Sequence, residues 1–103
     1  MSRPLHVEVS DLAAAQIRAA EEWWRVNRLK APNAIREELE RASSLISVEP
    51  EIGMRARNVS LTGVRRVHLA RVHYYLYYRV VSDPERIEIL AFWQTSRGSG
   101  PPL

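Results

Sequence analysis

The sequence predicts an α+β fold in the order β-α-α-β-β-β, a helical hairpin packed on a small, mainly antiparallel sheet. Two observations carry this. The stretch from Val64 to Trp93 breaks into three runs with the alternation and the β-branched or aromatic bias of strands, and two stripes of apolar residues recur at helical spacing between Ala13 and Ile46. The joints between these segments are short, which favours neighbours lying antiparallel.

Taken in order, Leu5-His6-Val7-Glu8-Val9 alternates apolar and polar and reads as a first strand paired into the sheet. Ser10 or Asp11 then offers an N-cap. Ala13, Ile17, Ala20 and Trp24 form the buried stripe of a helix running to about Arg28, with Arg18, Glu21, Glu22 and Arg25 on the wet side. Trp23 and Trp24 are adjacent on that helix and cannot both face the core; the stripe favours Trp24 inside and leaves Trp23 as an exposed anchor. After Leu29-Lys30-Ala31, Pro32 suits the first position of a second helix. Its stripe is Ile35, Leu39, Ala42 and Ile46 with Leu45 beside it, and Glu37-Glu38-Leu39-Glu40 reads as a solvated acidic patch.

Val48 to Thr62 is irregular, with Pro50 and Gly53 marking a turn and Arg55 and Arg57 adding charge near the sheet. Three strands follow, joined by Ala70-Arg71-Val72 and by the Asp83-Pro84 turn. In the middle strand, alternation puts Tyr74, Leu76, Tyr78 and Val80 on the core face, where buried tyrosines need hydroxyl partners. His73, Tyr75, Tyr77 and Arg79 take the outward face, joined from the first strand of this group by Arg66 and His68, about 6–7 Å apart. Residues 1–103 make a single domain, with 96–103 as a flexible tail, either disordered or laid along the sheet edge.

At 46% hydrophobic and 26% charged residues, the composition is that of a globular protein large enough for one core. There is no apolar run of membrane-spanning length, no signal-peptide pattern and no cysteine, and the expectation is a cytoplasmic protein. Its net charge of +3 conceals an asymmetry. Residues 1–51 hold seven Lys/Arg against nine Asp/Glu, and residues 52–103 hold eight against three. The sheet half is the basic half, and nearly all its cations are arginine, whose planar fork suits carboxylates and phosphates. His6, His68 and His73 make no metal-ligand spacing, so neither a metal nor a cofactor is expected.

Several features in this order and at this length resemble the RelE/ParE superfamily of bacterial type II toxins. They are Trp23-Trp24 in the first helix, the Pro50 to Gly53 turn, Gly63-Val64-Arg65-Arg66 entering the sheet, Tyr74-Tyr75-Leu76-Tyr77-Tyr78-Arg79-Val80, and Ile89-Leu90-Ala91-Phe92-Trp93 with Arg97. The resemblance implies a toxin partnered by a cognate antitoxin, as in plasmid-stabilisation systems. RelE-like members cut messenger RNA on the ribosome without a metal, whereas ParE-like members bind DNA gyrase and block replication.

RNA cleavage by a 2′-hydroxyl needs a base, cations on the phosphorane and an acid for the leaving oxygen. Arg66 and His68 stand where two strand cations of the RelE-like pattern would lie. Tyr75, however, occupies a place usually held by arginine, and no tyrosine or histidine follows Trp93. This favours the ParE-like branch. The expected target-binding residues are Arg66, His68, Arg71, Tyr75, Trp93 and Arg97, and Trp23 is the expected antitoxin contact. Under the enzymatic alternative His68, Arg66 and Arg97 would be catalytic, with ribosome and messenger RNA as partners. The remaining readings are a non-toxic homologue and a module stacking single-stranded nucleic acid on Tyr75, Tyr77 and Trp93.

Overall fold

The computed structural model describes residues 3–103. The elements are β1 (Val7–Val9), α1 (Asp11–Asn27), α2 (Ala34–Val48), β2 (Met54–Arg55), β3 (Arg65–Leu69), β4 (Tyr74–Val81) and β5 (Arg86–Gln94). They form two helices on one five-stranded sheet of order β1-β5-β4-β3-β2, in which β1 runs parallel to β5 and the other pairs are antiparallel. The α+β architecture follows the sequence reading. It adds β2, a two-residue edge strand in the stretch read as irregular, which is too short to leave a periodic signal.

Ser10 caps α1: its Oγ accepts from the Ala13 amide at 3.1 Å and donates to the Leu90 carbonyl at 3.3 Å. The helix buries Ala13, Ala20 and Trp24, and the Trp24 indole donates to the Ala31 carbonyl at 2.9 Å across the interhelical joint. Pro32 lies in that joint rather than in the second helix, which begins at Ala34 after Asn33. Ile35, Ala42 and Ile46 complete the stripe facing the sheet, whereas Leu45 is exposed. Glu38 departs from the reading of a solvated acidic patch. It is 6% exposed, held by Arg41 at 3.1 Å and Arg71 at 3.3 Å, because it faces the β3–β4 turn across the helix edge.

The main core lies between the helices and one sheet face, around Leu69, Val72, Leu76, Tyr78, Ile87, Ile89 and Phe92. Tyr78 is fully buried there. Its hydroxyl donates to the Pro50 carbonyl at 2.8 Å and accepts from the Gly53 amide at 2.9 Å, which satisfies the partner its burial demands. A Cβ at Gly53 would stand 2.6 Å from that hydroxyl, so the close approach needs glycine. Val80, placed by alternation in the core, is 39% exposed because it lies beyond the reach of the helices, beside Pro50 and Ile52.

The opposite sheet face is partly covered, which the sequence reading did not anticipate. Val64, Tyr77, Leu90 and Ala91 form a second buried cluster under Ala56, Val59, Leu61 and Leu103. Tyr77 does face outward, yet it is wholly buried. The segment expected as a flexible tail supplies part of the cover: Ser60 donates to the Leu103 carbonyl, and the Trp93 indole donates to the Ser99 carbonyl at 2.7 Å. A bulge in β5 makes both cores possible. Tyr77 pairs with Ala91 and Tyr78 with Ile89, leaving Leu90 as the extra residue. Phe92 therefore returns to the helix side with Ile87 and Ile89, and Ala91 and Trp93 face outward.

Candidate functional site

The uncovered part of the outward face is built by register. His68 on β3 is opposite Tyr75 on β4, and Tyr75 is opposite Trp93 on β5, so one rung across three strands presents an imidazole, a phenol and an indole. The His68 and Tyr75 rings are 5.2 Å apart. Arg66, two residues from His68 and on the same face, lays its guanidinium 4.0 Å from the Tyr75 ring centroid and donates to the Tyr77 hydroxyl at 3.3 Å. At the other end Arg97 stacks 4.0 Å from the Trp93 centroid. Each contact of this kind contributes about 0.5–1 kcal/mol at an exposed site. Their larger consequence is geometric: two cations are held over aromatic rings on this face.

The charge on this rung is uncompensated. Among the described residues the ion pairs tie Arg25, Arg36, Arg41, Arg71, Arg79 and Arg86 to glutamates, and none involves Arg66 or Arg97. Glu88, a conceivable partner for Arg97, instead accepts from Arg79 at 2.9 Å.

Five of the six residues expected to bind a target, Arg66, His68, Tyr75, Trp93 and Arg97, thus belong to one surface. Arg71 does not. It sits at the β3–β4 turn on the helix side, 2.9 Å from Glu37 and 3.3 Å from Glu38, and its pKa is raised above the ordinary arginine value, chiefly by the hydrogen bond to Glu37. The turn that carries Arg71 is closed by the Val72 and His73 amides donating to the Leu69 carbonyl, with His73 at φ 62°. Trp23 is 46% exposed beside the buried Trp24, with the Arg28 guanidinium 5.0 Å from its ring. It also shares a groove of about 220 Å³ with Gln16, Tyr74, Gln94 and Arg97, so the expected antitoxin contact adjoins one end of the rung.

Of two further residues near the site, Asn58 was missed and Arg57 was read only as charge near the sheet. Arg57 and Asn58 line a hollow of about 580 Å³ with Arg66, and the Asn58 amide donates to the Tyr77 hydroxyl at 3.0 Å. The Arg55-x-Arg57 spacing was the available signal; Asn58 left none.

Comparison with known proteins agrees with this architecture. A family model described as ParE toxin of type II toxin-antitoxin system, parDE, matches residues 7–98. Among solved structures, one titled "Chromosomal ParDE TA system from P. aeruginosa" superposes with a TM-score of 0.70 at 24% identity, covering 92% of this chain and 100% of its own, a likeness of fold. No curated protein matches significantly. Since the family model spans both helices and all five strands, the chain belongs to the ParE toxin family of type II toxin–antitoxin systems.

Proposed function

We propose that this chain acts as a toxin by binding DNA gyrase through the His68–Tyr75–Trp93 rung and its two stacked arginines, and that a cognate antitoxin in the cytoplasm restrains it. The observation that carries the reading is the pairing of partly exposed rings with guanidinium groups that have no carboxylate partner among the described residues. Such a surface gains most from docking on an acidic or polar macromolecular face. Membership of the ParE family supports gyrase as that macromolecule.

The same face is poorly equipped for RNA cleavage. His68 and Arg66 supply a base and a cation, but their neighbours Tyr75 and Tyr77 are committed to stacking and to hydrogen bonds within the sheet. No tyrosine or histidine follows Trp93 to protonate a leaving oxygen. Binding is therefore the reading the geometry favours.

The test is to induce the chain without antitoxin and to add purified chain to two reactions, gyrase supercoiling and translation-linked RNA cleavage. Inhibited supercoiling that weakens about tenfold in Arg66→Ala or Arg97→Ala, with RNA intact, is the expected result. RNA cleavage that vanishes in His68→Ala while supercoiling proceeds would overturn it in favour of a messenger RNA endonuclease.

A further inference from the structure

Adjoining the target-binding rung, the β2 edge of the sheet has a charge pattern that inverts its sign under reversal. Around Gly53 the chain runs Glu49-Pro50-Glu51-Ile52-Gly53-Met54-Arg55-Ala56-Arg57. Two acids stand four and two residues before the glycine, and two arginines stand two and four residues after it. An apolar residue flanks it on each side. The structure leaves this pattern unsatisfied. Among the described residues no ion pair involves Glu49, Glu51, Arg55 or Arg57. Ile52 is exposed, and Met54 is 76% exposed.

The apolar strip extends beyond the segment. Ile52 joins Val80 and Pro50 in a groove of about 540 Å³ whose remaining lining is Glu49, Glu51 and Glu85. Ile52 and Met54 join Leu45 in a second groove of about 390 Å³ that reaches Arg66, His68 and Tyr75, so this edge runs into one end of the rung. The edge is therefore a continuous apolar band, acidic at one end and basic at the other.

We propose that this edge is a self-complementary interface joining two copies of the chain about a two-fold axis near Gly53. A two-fold contact requires one patch to complement itself. Glu49 caps the C-terminal end of α2, and Pro50 and Glu51 turn the chain into β2, so the segment is not one extended strand. A two-fold axis near Gly53 instead brings the acidic side of one copy, Glu49 and Glu51, towards the arginine side, Arg55 and Arg57, of the other, with Ile52 and Met54 between them. A partner of uniform charge would satisfy one end and be repelled by the other, which is why a second copy fits best.

Side chains rather than added backbone ladders hold the contact. The strand is only two residues long, the Gly53 amide is already given to Tyr78, and the Ala56 amide to Val64. A standard stable interface buries about 800 Å² per partner, and a band this narrow makes the association weak, on the order of micromolar.

Sedimentation of the full chain, from about 1 to about 300 μM, brackets such an affinity. The expected result is a monomer–dimer equilibrium. Both Glu49→Arg with Glu51→Arg and Arg55→Glu with Arg57→Glu weaken it by about tenfold or more, and an equimolar mixture of the two reversed variants recovers it as a heterodimer. Circular dichroism confirms that each variant is folded; should a reversed pair unfold, Ile52→Ser at the exposed centre serves instead and also weakens the dimer. A chain that stays monomeric throughout, a dimer indifferent to these changes, or folded reversed variants that fail to recover on mixing would overturn the proposal.

Discussion

The Tyr78 hydroxyl joins three segments, since it sits in β4 and bonds both Pro50 and Gly53 at the start of the edge strand. Tyr78→Phe leaves a buried amide and carbonyl unpaired and is expected to cost about 1–3 kcal/mol, read as a lower urea midpoint with unchanged slope. Burial raises the pKa of this phenol above its ordinary 10.0 despite opposing contributions from Gly53 and Arg65, and burial raises Tyr74 in the same direction. Folding thus favours the protonated phenols. Their contribution to stability is complete below the unfolded value and is lost as pH rises through the folded values, so thermal stability should fall above about pH 10. The decline should be shallower in Tyr78→Phe. Alternation alone made Tyr78 legible as buried, because it shares a face of β4 with the buried Leu76. The burial of Tyr77 and the pairing of Arg71 escaped the sequence for a shared reason: both depend on distant segments that fold back over them, residues 56–64 with Leu103 in the first case and α2 in the second.

At the scale of elements, the helices were readable from their stripes because each turns one apolar side to the sheet and the neighbouring helix. Ser10 makes this testable, since its side chain caps α1 and also bonds β5. Ser10→Ala is expected to lower stability by about 1 kcal/mol in chemical unfolding, within the range for a lost N-cap. β5 was harder to read. Its bulge at Leu90 switches the side chains between faces midway, so a strict period of two would send Phe92 outward and Trp93 inward. The edge strand β2 and the docked tail left no periodic trace, because two residues show no period and a tail seated by Pro101, Leu103 and two backbone carbonyls has no pattern of its own. Shortening the chain after Gly98 would uncover the apolar cluster around Leu90 and release the Trp93 indole. The expected outcome is a lower melting temperature by circular dichroism, together with a looser Arg97–Trp93 stack seen as a shift in tryptophan emission.

Over the whole molecule, charge is segregated in a way that the net value of +3 hides. Arg25, Arg36 and Arg41 of the helices are matched to helix glutamates, as is Arg71 of the β3–β4 turn, and no helix among the described residues is long and apolar enough to cross a membrane. The outward sheet face keeps Arg66 and Arg97 free of carboxylate partners, and the proposed docking rests on that asymmetry. Binding through it should weaken as ionic strength rises, because exposed charges more than about 8–10 Å apart are screened at physiological salt. The most direct test is the affinity of the purified chain for gyrase, measured by calorimetry for the native sequence and for Arg66→Ala, Arg97→Ala and Arg71→Ala. A loss of about tenfold for each of the first two, with Arg71→Ala unchanged, is the predicted result; native affinity in Arg66→Ala and Arg97→Ala, or a loss confined to Arg71→Ala, would contradict it.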